Sequence, residues 1–216
     1  MSDPGIVVGD DGLARCPWAT SPGEYRRYHD REWGRPVAQD DRVFEKLCLE
    51  GFQSGLSWLT ILRKRDGFRR AFSQFDPATV AAFGDRDVDR LLSDAAIVRH
   101  RGKIRATIAN ARATLALREQ GVSLAAMCWT FAPGPTPAPR AVGDLPSRTA
   151  ASEALSVTLK RHGFQFVGAI TVYSAMQSLG LVNDHLAGCS LRPEIELERA
   201  CFKVPSQMTF AAATSS

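Results

Sequence analysis

The sequence predicts an all-α protein. Helix start and stop signals punctuate almost every segment, apolar residues recur every three or four positions, and strand-like alternation is scarce. The first helix is the most strongly marked. Ser21 can N-cap it, Pro22 suits its first position, Glu24 completes an S-x-x-E capping box, and Gly34 with Pro36 stops the run. Asp40 or Asp41 starts the next helix, through about Gly51. Asp76 before Pro77 has the cap-then-proline order of a short helix, and Asp85 opens another through about Ser93. A longer helix runs from near Gly102 to Glu119, with Ile104, Ile108, Ala111 and Leu115 at core spacing. Ser123 caps a short run through Phe131, and the proline-rich stretch 133–147 is a connection without a helix of its own. Thr149 or Ser152 begins a helix to His162 that Gly163 ends, and another spans about Gly168 to Leu179 with Gly180 at its end. Residues 1–13 and 191–216 read as loose tails around one domain, 14–190, built of two lobes.

At 216 residues and 44% hydrophobic the chain can bury a core. No apolar run is long enough to span a bilayer, and Met1 to Leu13 lacks the apolar stretch of a secretion signal, so a cytoplasmic protein is expected. Five cysteines at wide, irregular positions do not form a disulfide framework; in a reducing compartment they are free thiols or metal ligands. The net charge is only +4, yet basic residues gather at Arg63-Lys64-Arg65 with Arg69-Arg70, at Arg99 to Lys103, and at Lys160-Arg161-His162. Arg101, Arg105 and Arg112 lie within an arc of roughly 40° on one helix. These are either solvated faces or the footprint of a polyanion.

Three features carry chemistry. Within the first helix Tyr25, Tyr28, His29, Glu32 and Trp33 share an arc of roughly 140°, an aromatic face where a core helix would use Leu, Ile and Val. That face is either core or the wall of a pocket for something flat. In the following helix Val43, Leu47 and Glu50 stand at i, i+4 and i+7, so Glu50 projects from the apolar side, where a carboxylate is costly unless it is hydrogen-bonded or protonated. Fraying next to Gly51 is the alternative. Trp58 follows in a glycine-punctuated segment that could bend back towards it. Finally, Cys16 with His29 and His185 with Cys189 form two pairs at opposite ends of the chain. Together they make a complete Cys₂His₂ zinc set, although the first spacing is not that of a zinc finger and the pairs can also be unrelated. All four positions filled would mean a structural ion. Between the last two helices, Gly163 and Gly168 flank a tight turn whose backbone N–H groups, with Lys160 and Arg161, could meet a phosphate.

Together and in order these segments resemble the 3-methyladenine DNA glycosylase I family of the helix-hairpin-helix DNA repair superfamily. The matching blocks are Arg15-Cys-Pro-Trp18, Tyr28 to Gly34, Leu49 to Trp58, Arg99 to Ile104, Phe164 to Gly168 and Gly180 to His185, and they cover about residues 15–190. The resemblance implies a helix-hairpin-helix glycosylase-like fold and one structural Zn2+ on Cys16, His29, His185 and Cys189, joining the chain ends. It also implies a base pocket of Trp18, Tyr25, Tyr28, Trp33 and Trp58, with Glu50 as its polar contact. The expected partner is double-stranded alkylated DNA, the expected product is free 3-methyladenine, and the protein should act as a monomer at the nucleoid. Asp184 is either a catalytic carboxylate or a group that orients His185. Leu56 is the candidate wedge for the vacated base stack.

The chemistry follows from the substrate. A base stacked in duplex DNA must rotate out before a pocket can enclose it, and alkylation lowers that cost. A 3-methylated adenine linked to sugar is cationic, so its bond is already weak and electron-rich rings favour it. Glu50 is expected to recognise the purine edge and stabilise charge rather than act first as a general base. Water attacks the sugar, and no lysine is placed to cleave the strand. The competing expectation is a zinc-stapled nucleic-acid-binding module without chemistry.

Overall fold

The structure, a computed structural model, describes residues 5–20 and 23–206. It is helical almost throughout. The helices are α1 (Glu24–Arg31), α2 (Asp40–Gln53), α3 (Trp58–Ala71), α4 (Pro77–Ala81), α5 (Asp85–Ser93), α6 (Arg101–Glu119), α7 (Leu124–Trp129), α8 (Ala150–Arg161), α9 (Ala169–Ser178) and α10 (Arg192–Cys201). The expected S-x-x-E cap is corrected: Gly23 is the N-cap of α1 and Glu24 its first residue, with no side-chain cap, while Ser21 and Pro22 lie outside the described residues.

Several caps form where the sequence puts them. Asp76 Oδ2 accepts from Thr79 N at 2.8 Å, Ser123 Oγ from Ala126 N at 3.1 Å, and Thr149 Oγ1 from Ser152 N at 3.2 Å. Asp40 behaves differently. It opens α2 without capping it and instead accepts from Ser123 Oγ and Ala125 N at 2.7 and 2.8 Å, docking the start of α7 onto α2. The long helix α6 is capped by His100, whose Nδ1 accepts from Lys103 N at 3.2 Å.

Three elements differ from expectation. The 14-residue α3 replaces what reads as a glycine-rich bend followed by a basic cluster. Ser57 caps it, and Ile61, Leu62 and Phe68 are its buried face. The N-terminal tail is partly structured: Val7–Val8 (β1) pairs antiparallel with Ala14–Arg15 (β2). The C-terminal tail begins as α10, because Ile195 is fully buried and two arginines bridge the helix to the loop before it. Arg199 donates to the Gly180 and Leu181 carbonyls, both at 2.9 Å, and Arg192 to the Asn183 and His185 carbonyls at 2.7 and 2.6 Å. The expected tail residues 1–4 and 207–216 lie outside the described residues. No helix among the described residues is long and apolar enough to cross a membrane.

The main core lies between α2, α3, α6, α7, α8 and α9, with Phe44, Phe52, Phe68, Phe72 and Phe75 fully buried in it. A smaller cluster of Cys16, Tyr28, Trp33, Leu62, Leu186 and Cys189 sits beside it, where the two chain ends meet. The loop joining α8 to α9 is fixed by side chains. Asn110 on α6 accepts from Gln165 N at 2.7 Å and donates to the Gln165 carbonyl at 3.1 Å, while Ser156 Oγ donates to the Val167 carbonyl at 2.6 Å. Gly180, just after α9, has φ +77°, and a Cβ there would lie 2.5 Å from the Arg35 carbonyl carbon. A backbone clash is not relieved by rotamer choice, so Gly180→Ala should lower stability by about 2–4 kcal/mol. Urea unfolding at neutral pH measures this, and a wild-type midpoint would contradict the close approach.

Candidate active site and metal-ligand cluster

Where α1, α2, α3 and α9 converge, a cavity of about 240 Å³ is lined by Trp18, Tyr25, Tyr28, Trp33, Glu50, Gln53, Trp58, Leu145, Ser174 and Gln177. It is smaller than the roughly 300–1,000 Å³ of pockets for drug-sized ligands, a size suited to a single flat ring system. All five aromatic residues expected of a base pocket are in its wall. Their rings brace one another edge to face: Trp18 is 5.0 Å from Trp33 and 5.7 Å from Tyr25, centroid to centroid. Tyr28 leans on Trp58 at 5.5 Å. The Tyr25 hydroxyl accepts from Leu59 N at 3.2 Å, satisfying an orphan donor in the first turn of α3 and tying that helix to α1. Trp58 Nε1 is buried without a hydrogen-bond partner, an unmet donor in the cavity wall.

Glu50 is only 4% exposed. α2 continues past it to Gln53, so the helix end is not frayed there, and Lys103 Nζ holds that end by donating to the Phe52 and Ser54 carbonyls at 2.9 and 2.5 Å. Burial pushes the Glu50 carboxyl up to about 8, against the opposing pull of Lys46 and of a hydrogen bond from Ser178. Lys46, one turn earlier, is also buried, with its ammonium 5.8 Å from the Tyr28 ring centroid. Burial brings its value down to about 8, while Glu32 and Glu50 oppose that fall. Burial, followed by the charge of Glu50, raises Tyr28 well above its ordinary value, so its phenol stays protonated.

Beside this wall lie Cys16, His29, His185 and Cys189, all buried, with one ligand atom of each within 4.8 Å of the others. Cys189 Sγ is 3.6 Å from His29 Nε2 and 3.4 Å from His185 Nδ1. The far nitrogen of each imidazole is already engaged. His29 Nδ1 lies 2.8 Å from Asp30 Oδ1, and His185 Nε2 lies 3.1 Å from the Trp33 carbonyl oxygen. A carboxylate and a carbonyl can only accept, so each ring donates outward and turns a bare nitrogen towards the sulfurs. Asp30 is itself fixed by buried Arg15, whose Nε and Nη2 both reach it at 2.9 Å. The Cys189 thiol is held far below its ordinary value, first by a hydrogen bond from the Cys16 thiol and against the opposing effect of burial. Two sulfurs and two imidazole nitrogens in a dry cluster, with oriented second partners, fit a tetrahedral metal ion.

Asp184 does not orient the His185 ring. The Trp33 carbonyl orients His185, whereas Asp184 Oδ2 accepts from the Tyr173 hydroxyl and from Gln177 Nε2, both at 2.7 Å. Asp184 lines a neighbouring cavity of about 660 Å³ under the proline-rich connection, not the ring-lined one. The strip Arg101, Arg105 and Arg112 is occupied internally, by Asp89 at 3.2 Å, Asp85 at 3.3 Å and the Ala81 carbonyl at 2.9 Å. Arg65 forks onto Glu32 at 2.7 and 2.9 Å, and Arg69 reaches buried Glu45 at 2.7 Å, so that cluster too is largely spoken for. Leu56 stands 40% exposed on the bend after α2, where Gly55 has φ +80°. Lys160, Arg161 and Gly163 are exposed at the end of α8, and Gly168 is the N-cap of α9. Sequence reasoning missed Lys46, Gln53, Leu145, Ser174 and Gln177. Ser174 and Gln177, polar at i and i+3 on α9, were the available signal.

The class defined by this fold and site is an all-α protein with an acid buried in a ring-lined, base-sized cavity. A family profile described as methyladenine glycosylase matches residues 18–192, and the chain belongs to that family. The DNA-3-methyladenine glycosylase 1 of Escherichia coli (strain K12) is 48% identical over 184 residues, which span 84% of this chain and 98% of the relative. A crystal structure of a 3-methyladenine DNA glycosylase I superposes with a TM-score of 0.79 at 48% identity, covering 82% of this chain and 98% of that one. The enzyme of the same name from Staphylococcus aureus, whose structure addresses 3-methyladenine recognition, gives a TM-score of 0.78 at 34% identity, covering 83% and 96%. The chain is thus an enzyme of the DNA glycosylase class.

Because the Glu50 carboxyl holds its proton more tightly folded than unfolded, its favourable share of stability is full below about 4.5 and is lost as pH rises through about 8. Glu50→Gln should therefore be more stable than wild type at pH 8 by about 1–3 kcal/mol, with little difference at pH 4.5. Denaturant melts at the two pH values test this; an advantage independent of pH would mean that the carboxyl is not desolvated.

Proposed function

We propose that this enzyme excises 3-methyladenine from alkylated double-stranded DNA, hydrolysing the N-glycosidic bond to leave an abasic site and the free base. The observation that carries this reading is Glu50, a buried carboxyl in the wall of a cavity lined mainly by indoles and phenols. Such a pocket is poor for a neutral polar ligand and favourable for a flat cation, which gains from the ring faces and from the carboxylate together. A carboxyl that holds its proton in the empty cavity would release it when the methylated purine enters. The pocket would thus become charged only as its cationic ligand arrives.

The steps are these. The damaged nucleotide rotates out of the duplex, Leu56 fills the space it leaves, and the helix-hairpin-helix formed by α8 and α9 holds the backbone near Gly163 and Gly168, assisted by Lys160 and Arg161. Trp18, Tyr25, Tyr28, Trp33 and Trp58 enclose the base. As the bond to sugar lengthens, positive charge moves from the base to the sugar, and Glu50 provides the fixed negative charge that favours this state. The base leaves neutral, so strong acid catalysis is unnecessary. Water completes the substitution. None of the described residues lining the cavity is a lysine that could form an imine with the sugar, which supports a reaction that leaves the strand intact. Cys16, His29, His185 and Cys189 would hold one zinc ion, whose role would be structural support of the wall rather than chemistry at the base.

Glu50→Gln should slow 3-methyladenine release from methylated duplex DNA by about a hundredfold while leaving the fold intact. Wild-type-like release would remove Glu50 from the mechanism, and retained binding without release by the wild type would favour a non-catalytic DNA-binding module. Cys189→Ser should lose zinc and thermal stability together, because the ion closes almost the whole chain into one loop. A full zinc complement in that variant, by elemental analysis, would contradict the ligand set.

A further inference from the structure

Gln177 and Asp184 form a contact that the proposed mechanism leaves unused. Gln177, on α9, is in the wall of the ring-lined cavity, and Asp184, beyond the sharp turn at Gly180, lies under the neighbouring one. A primary amide can face a partner either way round, with its NH₂ or its oxygen. Here the choice is made chemically. The Asp184 carboxylate only accepts, so the hydrogen bond of 2.7 Å commits the Gln177 NH₂ to it. Tyr173 donates to the same Oδ2 at 2.7 Å, which keeps the carboxylate in place; its phenol, raised by burial and by this hydrogen bond, stays protonated and remains a donor. Asp184 is 8% exposed, so water competes little for the pair. The acceptor left on the Gln177 side chain is then Oε1, and Gln177 shares the cavity wall with Glu50.

We infer that Asp184 is a positioning residue for base selection: by fixing the Gln177 amide it presents an acceptor to the cavity, favouring methylated purines with a 6-amino group over those with a 6-oxo group. This rests on the glycosylase reading above and deepens it. A 6-amino group can donate to Gln177 Oε1, whereas a 6-oxo oxygen would confront it lone pair to lone pair, leaving two buried acceptors unmet. With the amide reversed the preference would reverse as well, since the NH₂ would then meet the oxo group.

Duplex DNA treated with a methylating agent carries both 3-methyladenine and 3-methylguanine, so one chromatographic assay of released bases reads the selection directly. Wild type should favour 3-methyladenine. In Asp184→Asn the new amide can donate as well as accept, Gln177 is free to turn over, and the ratio of kcat/KM values should fall about tenfold, partly through faster 3-methylguanine release. Gln177→Met, which removes the acceptor, should lower the same ratio mainly by slowing 3-methyladenine. Tyr173→Phe removes one of the two hydrogen bonds on Asp184 Oδ2 but keeps the amide's acceptor, so it should lower the ratio less than Asp184→Asn does. Thermal melts and zinc content run in parallel separate this from simple loss of structure, which would slow both bases equally. An unchanged ratio in folded Asp184→Asn overturns the inference; if that variant does not fold, an unchanged ratio in Gln177→Met does so. Absence of 3-methyladenine release by wild type would instead sink the glycosylase reading itself.

Discussion

The constraint around which this structure is arranged is a carboxyl group taken out of water. Glu50 occupies a position on α2 that its helical phase assigns to the interior, and nearly everything near it limits the cost of that placement. Lys46 offers a buried positive charge one turn away, Ser178 offers a hydroxyl, and protonation itself removes the charge when nothing cationic is present. The surrounding rings exclude water. An acid in such surroundings is poised for a ligand that carries positive charge, and it would gain little from a neutral one.

The cavity exists because two distant parts of the chain are brought together. Trp33 belongs to both halves of the arrangement, with its indole in the cavity wall and its carbonyl oxygen receiving the His185 ring. His29 and Tyr28 are neighbours on α1, one turned to the metal-ligand cluster and the other to Glu50. Arg15 fixes Asp30, Asp30 fixes His29, and α10 grips the carbonyls of the loop that carries His185. The cluster is therefore the joint that gives the aromatic wall its shape, which is why a site with no reacting atom can matter for the reaction. Close packing transmits a displaced imidazole into a displaced indole, since their ring centroids are only 4.6 Å apart.

Much of this was legible in the sequence wherever one residue type has one physical use. Asp76, Ser123 and Thr149 cap helices because short oxygen-bearing side chains at those positions have little else to do, and an aromatic face without Leu, Ile or Val marks an unusual wall. Two Cys-His pairs at opposite ends, and an acid in apolar phase, pointed to the cluster and to Glu50. Charges with several possible partners were illegible. Arg65, Arg69, Arg101 and Arg105 read in the sequence only as basic clusters, whereas the structure pairs each with a carboxylate outside its own helix. α3 was hidden because its basic residues drew attention away from Ile61, Leu62 and Phe68, and α10 because one buried isoleucine and two carbonyl-bound arginines hold it. Asp184 misled for the same reason: its neighbour in sequence is His185, but its partners lie on α9.

The account turns on the state of one carboxyl group. Carbon-13 NMR of the Glu50 side chain, followed through a pH titration in the free enzyme and again with saturating 3-methyladenine, observes that group directly. A midpoint near 8 in the free enzyme that shifts when the base binds is the predicted result. An ordinary carboxylate titration near 4.5, indifferent to the ligand, would contradict it.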